Sequence, residues 1–338
     1  MLRSIEIIGG GLAGLSLGTA LCRAGVPVTI TEAGDYPRHR VCGEFITGLT
    51  SSTIARLGLA PLLADALSHR EVAWYLRGEP ARVQRLPSPA LGLSRYVLDA
   101  RLAAAFTTAG GVLRRNTRVT DTAPAPGRVF ATGRRRSRSA WLGLKLHARD
   151  LPLARDLELH LADQGYVGLS RIEDGQVNIC GLFRRRAICA RGPDLLLGYL
   201  QAAGLAALAE RLAAAELDPD SVCAVAAVGF DRRVTAAGRV QVGDACAMIP
   251  PFTGNGMAMA FQSAETVLDP LLAYTRGTVS WTTACRAIDV RLRRRFRLRL
   301  ASAAVLHPYF LQPRRQHWLS GLNRARLLPL RPLYALLH

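Results

Sequence analysis

Three stretches of the chain carry residue types whose chemistry depends on their spacing. The first is Gly9, Gly11 and Gly14, with the acid Glu32 downstream. In a strand–turn–helix unit the first such glycine permits a tight turn and the second lets a pyrophosphate approach the backbone. The third lets the helix pack closely on the strand. The free N–H groups and positive dipole end of that helix attract phosphate, and an acid after the second strand binds a ribose hydroxyl. The second stretch is Cys42-Gly43-Glu44, preceded by Arg38, His39 and Arg40. Positive charge around a thiol is expected to favour its thiolate, so Cys42 is a candidate catalytic residue. The third stretch is Gly243-Asp244 followed by Pro251-Phe252-Thr253-Gly254-Asn255-Gly256-Met257. Here glycines would free backbone N–H groups at a helix start, where negative charge is stabilised. One further pattern misleads. Gly14-Leu15-Ser16-Leu17-Gly18 matches a hydrolase nucleophile elbow, but Ser16 falls inside the helix instead of on the sharp turn.

The elements that must position these residues follow from periodicity. An apolar run at 5–8, a helical pattern ending near Gly25 and a β-rich run at 26–31 form a βαβ unit that stops at Glu32. Helix is expected at 47–67 and strand around 71–86. Ser94 is placed as a helix cap, with Gly110-Gly111 ending that helix. Strands are expected at 112–119 and 129–133. Residues 157–161 alternate, and 166–170 and 177–181 flank Asp174-Gly175, a strong hairpin signal. Helix is expected over 195–217, strand over 224–230, helix over 257–268, and basic helix from Trp281 onward. The predicted class is α/β: a Rossmann-type domain interleaved with an antiparallel-sheet domain, then a C-terminal helical region. Residues 1–70, 95–140 and 232–275 are assigned to the first, 71–94 and 141–231 to the second, and 276–338 to the third. His147 and His160 are expected to be structural more than cavity-facing.

Taken together, these motifs resemble the FAD-dependent group that joins aromatic-ring hydroxylases to geranylgeranyl reductases, which share the glutathione-reductase-type FAD fold. The resemblance covers about residues 1–290. It implies that Gly9, Gly11, Leu12, Ala13, Gly14, Glu32 and Ala33 hold the dinucleotide. The loop P-x-x-x-x-C-G-E, matched by Arg40, Cys42 and Gly43, would run along the cofactor. The S-R-x-x-L-D-x-x-L helix at 94–102 would bring Arg95 to it. Val119 would end a strand reaching the adenine side, and Ala131, Thr132 and Gly133 the strand that returns beneath the cofactor. Gly243, Asp244, Pro251, Gly254, Asn255, Gly256 and Met257 would meet its ribityl chain and flavin edge. The family's small β-meander is replaced here by a Pro-rich turn after Val119, and many relatives carry an acid where Asn255 stands.

Composition narrows the alternatives. The net charge is +19, yet 44 basic residues include one lysine, Lys145, so arginine usage reflects a coding bias. The arginines are scattered, which argues against a nucleic-acid protein. Seven cysteines without a C-x-x-C pair suggest neither a disulfide framework nor a metal site, and fit reduced thiols in a cytoplasmic protein. No apolar run approaches the roughly 20 residues that span a bilayer.

An FAD-dependent oxidoreductase is therefore expected, with NAD(P)H as a transient reductant. The resemblance leaves two chemistries open. A monooxygenase would hydroxylate or epoxidise an aromatic, polyketide or lipid-like molecule through a flavin hydroperoxide, as in secondary metabolism. A reductase or dehydrogenase would act on C=C bonds. The monooxygenase is favoured by the compact chain. A flavin halogenase is disfavoured: no lysine precedes Lys145 and the W-x-W-x-I-P motif is absent. A basic membrane- or nucleic-acid-binding protein without catalysis is a third, weaker reading. The C-terminal run 291–300 interleaves arginine with apolar residues. Tyr309, Phe310, Trp318, Leu327 and Leu328 follow, among Arg314, Arg315, Arg324 and Arg326. Such a helix either packs its apolar side on the preceding domain or touches something anionic: the inner face of a membrane, or an acidic carrier protein bearing a tethered substrate.

Overall fold

A computed structural model describes residues 1–134, 137–230, 238–325, 327 and 330–337. Arg326, Leu328 and the first residues of the expected 232–275 segment lie outside the described residues. The chain starts with β1 (Ile5–Ile8), α1 (Leu12–Arg23) and β2 (Val28–Thr31), the βαβ unit the glycine spacing predicts. It continues through β3 (Phe45–Ile46), α2 (Ser51–Leu57), β4 (Leu67–Leu76), β5 (Glu79–Gly92) and α3 (Arg95–Thr108). Next come β6 (Val112–Arg114), β7 (Arg128–Phe130), β8 (Trp141–Arg149), β9 (Leu157–Ala162), β10 (Gly165–Arg171) and β11 (Val177–Arg184). Helices α4 (Pro193–Ala202) and α5 (Ala206–Ala213) precede β12 (Glu216–Ala226) and β13 (Val240–Gln241). The chain closes with α6 (Gly256–Thr275), α7 (Trp281–Leu311), α8 (Pro313–Arg324) and α9 (Leu330–Leu337).

Two sheets organise these elements. A parallel sheet has the order β13-β7-β1-β2-β6, and a second, eight-stranded sheet the order β12-β8-β11-β10-β9-β4-β5-β3. In the first, β1 lies between β2 and β7, so the turn after Ile8 opens at the carboxyl end of a central strand. Ligands of open α/β sheets bind there. Helices α1 and α6 cover this sheet, and Leu15, Leu17, Leu21, Phe261 and Val267 share its core. The second sheet packs Leu144, Leu146 and Ile179 against Leu200, Leu208 and Leu212 of α4 and α5.

Several boundaries differ from expectation for identifiable reasons. The strand expected over 112–119 ends at Arg114, and Asn116 then takes a left-handed conformation, which breaks the extended chain. The helix expected over 195–217 is two, divided at Gly204, and the strand after it begins at Glu216 and ends at Ala226. The helix expected over 47–67 is one short helix stopped by left-handed Gly58 and followed by a 3-10 turn. The expected cap at Ser94 forms, with Val97 N–H donating to Ser94 Oγ at 3.1 Å, and Thr50 caps α2 in the same way, accepting from Thr53 N–H at 3.2 Å.

The long basic helix α7 shows why its sequence looked ambiguous. Ala284, Ile288, Leu292, Phe296, Leu300 and Ala303 recur every three to four residues and are buried. They face α6, where Arg295 Nη2 meets Glu265 Oε2 at 2.8 Å and Arg299 Nη1 donates to Gln262 Oε1 at 2.6 Å. Burial lowers the Arg299 pKa to about 10. One side of α7 therefore packs on the preceding domain. The other exposes Val290, Leu298 and Val305 beside arginines.

Candidate functional site

Close backbone packing builds the glycine turn. Gly9 has φ +107°, and a Cβ there would lie 2.3 Å from Ala131 O. A Cβ on Gly14 would lie 2.1 Å from Gly9 O, so that glycine sets how near α1 approaches the turn. Gly11 differs: its missing side chain faces open space. That space is a cavity of about 1180 Å³, lined by Gly9, Gly11, Leu12 and Ala13 at the start of α1. Glu32 also lines it, but its carboxylate is already engaged. Oε2 accepts from Gly10 N–H at 2.7 Å, and Oε1 from Gly34 N–H at 3.0 Å and Arg38 Nη2 at 2.5 Å. Glu32 thus fastens the turn before any ligand arrives.

The same cavity receives the other expected residues: Ala33, Arg40, Cys42, Gly43, Arg95, Val119, Ala131, Thr132, Gly133, Gly243, Asp244, Pro251, Gly254, Gly256 and Met257. Gly14 lies behind its wall in a packing role. Asn255 does not line it. The Asn255 side chain is buried, with Nδ2 donating to Leu337 O of α9 at 2.5 Å and Oδ1 accepting from Thr47 Oγ1 at 3.4 Å. Asn255, expected with the cofactor-binding entry, turns its side chain away from the cavity and ties the α6 entry to the C-terminal helix. Gly254, at φ +68°, allows Phe45 to lie where a Cβ would be, 2.3 Å from Phe45 Cε2. That contact joins the Cys-Gly-Glu loop to the α6 entry.

Arg40 and Arg95, two of the arginines that line the cavity, are held by an acid with no role assigned from the sequence. Asp99 is fully buried; it accepts from Arg95 Nε at 2.7 Å and Nη2 at 2.9 Å, and from Arg40 Nε at 2.9 Å. The paired carboxylate outweighs burial and raises the Arg95 pKa above its ordinary value. Its motif position four residues after Arg95 on α3 was the available signal.

The expectation of a thiolate at Cys42 is also corrected. Burial pushes the Cys42 thiol up, and Arg95 only partly offsets this. Arg38 and Arg40 are committed to Glu32 and Asp99. The Cys42 loop is pinned by its backbone: Asn178 Nδ2 donates to Cys42 O at 3.0 Å and Ser170 Oγ to Gly43 O at 2.8 Å. Asp244 is solvent-accessible within the cavity. Desolvation by the surrounding walls raises its pKa, with Arg95, Arg134 and Arg40 opposing. His147 and His160 do not line the cavity. They pair with Glu44 at 2.6 Å and Glu158 at 2.9 Å, in the structural role expected of them.

Beyond the α6 entry the cavity becomes aromatic. Phe252 and Phe310 stack with centroids 4.0 Å apart, and Tyr166 Oη accepts from Phe252 N–H at 3.1 Å. Trp74 lines this end, and its indole Nε1 is buried without a partner among the described residues. Trp318 and Val305, more than half exposed, line the same end and mark where it reaches the surface. No group of three or more metal-ligating side chains occurs among the described residues.

The residues fit a large dinucleotide. Neither α1 nor α6 has an acidic residue in its first turn or a side-chain cap, so both present free N–H groups to the cavity. The comparisons agree. No family model matches the sequence. The P. aeruginosa protein PqsL, in complex with 2-aminobenzoylacetate, superposes with a TM-score of 0.74 at 16% identity. The match covers 95% of this chain and 99% of PqsL. Klebsiella pneumoniae HpxO, complexed with FAD and uric acid, gives 0.77 at 17% identity over 98% and 97%. The chain therefore shares the fold of PqsL and HpxO. In sequence, the menaquinone reductase of Mycolicibacterium smegmatis is 26% identical over 132 residues, 38% of this chain. The match spans about a third of that relative, 32% of its length.

Proposed function

We propose that the chain is an FAD-dependent oxidoreductase that oxygenates a flat, hydrophobic small molecule, with NAD(P)H as reductant. In this reading residues 1–70, 95–140 and 232–275 hold the cofactor, and 71–94 with 141–231 supply much of the substrate chamber, completed by Phe252 and Phe310. The observation that carries it is one continuous cavity lined both by two uncapped helix N-termini and by the rings of Trp74, Tyr166, Phe252 and Phe310. FAD would supply the electron-transfer chemistry. The protein would hold its phosphates at α1, meet its hydroxyls with Glu32 and Asp244, and stabilise charge on its ring edge from the α6 N-terminus. The apolar chamber would exclude water, and the Trp74 indole N–H would orient a substrate acceptor. A second reading, reduction of a quinone or C=C bond, is supported by the likeness to menaquinone reductase. The purified protein is expected to bind one FAD, and anaerobic NADPH or NADH to bleach it. Mixing with oxygen then separates the readings. A transient species distinct from oxidised and reduced flavin supports oxygenation, and simple reoxidation supports reduction. A folded protein that takes up no FAD would end both.

The surface around the chamber mouth favours delivery from an anionic lipid surface. Val305 and Trp318 line the cavity while exposed, and Leu298, Arg294 and Arg297 continue that face of α7. Among the described residues no helix is long and apolar enough to cross a membrane, so such contact would be peripheral. Each arginine near an anionic surface contributes about 1 kcal/mol. Full-length protein is expected to co-sediment with phosphatidylglycerol vesicles at low salt and to leave them at high salt. The double change Arg294→Glu, Arg297→Glu is expected to weaken partitioning roughly tenfold or more. Indifference of the wild type to these vesicles would leave a tethered or freely diffusing substrate.

A further inference from the structure

The single lysine of the chain occupies an unusual place. Every other one of the 44 Lys and Arg residues is arginine, and most are at the surface. Lys145 is 1% exposed. It stands on β8 opposite Cys180 of β11 and Cys223 of β12, and both cysteines line the cavity. Register partners project from the same face of a sheet, so Lys145 points to the cavity side. Its Nζ donates to His39 Nδ1 at 3.0 Å and lies 3.5 Å from Glu44 Oε1. Glu44 Oε2 meets His147 Nε2 at 2.6 Å. His39 lines the cavity and stacks on exposed Tyr96, with ring centroids 4.5 Å apart. A connected path therefore runs from solvent and cavity through His39 to Lys145 and the buried Glu44–His147 pair.

We infer that Lys145, acting through His39, supplies the proton that the reaction consumes. The inference rests on the oxidoreductase reading but not on which chemistry is correct. Oxygenation converts NAD(P)H, H⁺, O₂ and substrate into NAD(P)⁺, water and hydroxylated product. Quinone reduction converts NAD(P)H, H⁺ and quinone into NAD(P)⁺ and hydroquinone. Each takes one proton beyond the hydride. In the relay no electrons move: His39 Nε2–H gives a proton to the acceptor in the cavity, and Lys145 Nζ–H replaces it at Nδ1. Solvent then reprotonates the lysine by the reverse route. The Lys145 hydrogen bond fixes the tautomer this requires, with the imidazole proton on Nε2. Burial and the neighbouring Lys145 and His147 hold the His39 pKa down near 4, so the ring is neutral and able to pass a proton on. Opposing charges are Glu44 and Asp218; the other titratable neighbours, Cys42, Cys180 and Cys223, have thiols pushed up by burial. A structural tie for Glu44 would be served by a guanidinium, which the rest of the chain uses. A guanidinium does not give up its proton in a protein, whereas an ammonium can.

The experiment compares wild type, Lys145→Arg, Lys145→Met and His39→Gln as FAD-loaded proteins, following NADPH oxidation in air with and without 1,4-naphthoquinone. Lys145→Arg keeps the charge beside Glu44. It is expected to lower turnover by about 10²-fold or more, to lose the solvent isotope effect on turnover, and to retain FAD and melting temperature. His39→Gln, at a half-buried position, is expected to match it, and added imidazole to restore part of the His39→Gln rate. Turnover and pH profile of Lys145→Arg equal to wild type would overturn the inference. If the Lys145 variants do not fold, wild-type turnover in His39→Gln would overturn it equally. A second readout needs no flavin turnover. The His39 ring, followed by NMR, is expected to titrate near pH 4 in wild type and closer to its ordinary value in Lys145→Met. An unmoved His39 titration would show that the two groups are not coupled, and would also overturn the relay. A wild type that binds no FAD would instead refute the oxidoreductase reading, and the His39 titration would still decide the coupling.

Discussion

Gly14→Ala is expected to abolish correct folding, whereas Gly11→Ala is expected to fold normally and bind FAD about 10–100-fold more weakly. Both glycines lie at the start of the same helix, and helix propensity alone favours alanine over glycine by about 1 kcal/mol. Packing decides otherwise at Gly14. The new Cβ would sit 2.1 Å from Gly9 O, a backbone atom. Gly9 has little room to retreat, because a Cβ placed on it would lie only 2.3 Å from Ala131 O. The parallel sheet on either side, β2 and β7 flanking β1, holds all three in place. Relief therefore requires moving α1 off the sheet, away from Ile30 and Phe106 against Gly18. The cost should exceed the ~3 kcal/mol usual for overpacking. At Gly11 nothing lies within 4 Å of the added Cβ. The apo protein should melt as wild type or slightly higher. The methyl would instead occupy the path of a pyrophosphate, losing at least one charge-assisted hydrogen bond of about 1.5–3 kcal/mol. Thermal melts and FAD titrations on the same preparations check both halves. Equal FAD affinity for Gly11→Ala and wild type would place the phosphates elsewhere.

What was legible in the sequence follows from what each signal depends on. The glycine turn, the Ser94 cap and the Asp174-Gly175 hairpin are local, so spacing alone located them. Left-handed residues such as Asn116 and Gly204 carry weak sequence signals, and there the element boundaries went astray. The candidate site was found as a set of motifs, but the links between motifs were not visible. Asn255 reads as part of a glycine-rich entry, yet its amide reaches 82 residues along to Leu337 O. Arg38 and Arg40 read as a basic setting for Cys42, yet each is neutralised by an acid from elsewhere in the chain, and burial then governs the thiol. Lys145 was visible as a compositional oddity. Its meaning needed the strand register that sets it between Cys180 and Cys223. The aromatic chamber draws on α7 and α8, which lie largely beyond the part of the chain that resembles a known family.

Asp99→Asn is expected to destabilise the protein by about 3–5 kcal/mol, the cost of breaking a buried ion pair from one side. The carboxylate is 0% exposed and holds two guanidiniums at once, Arg95 from its own helix and Arg40 from the loop before Cys42. Asparagine keeps the size but offers one acceptor oxygen in place of two and no charge. Arg95, only 13% exposed in its side chain, would then be left with its positive charge poorly compensated. Arg40 Nη2 already lacks a partner among the described residues, so losing the Asp99 charge leaves that side chain still less compensated. The damage should extend to the site. Both arginines line the cavity, and the Asp99–Arg40 pair couples the Cys42 loop to α3 alongside the Arg95 N–H that donates to Glu44 Oε1. FAD affinity should therefore fall together with stability. Asp65→Asn makes the control. It removes the same chemistry from a pair with Arg101 of the same helix, but Asp65 is 58% exposed in its side chain, and an exposed pair of this kind contributes little. Urea unfolding followed by fluorescence compares the two: the Asp99 midpoint should drop sharply at unchanged slope, and the Asp65 midpoint should stay with wild type. If Asp99→Asn unfolds at the wild-type midpoint and retains FAD, the two arginines are held by their surroundings and the carboxylate is not the clamp.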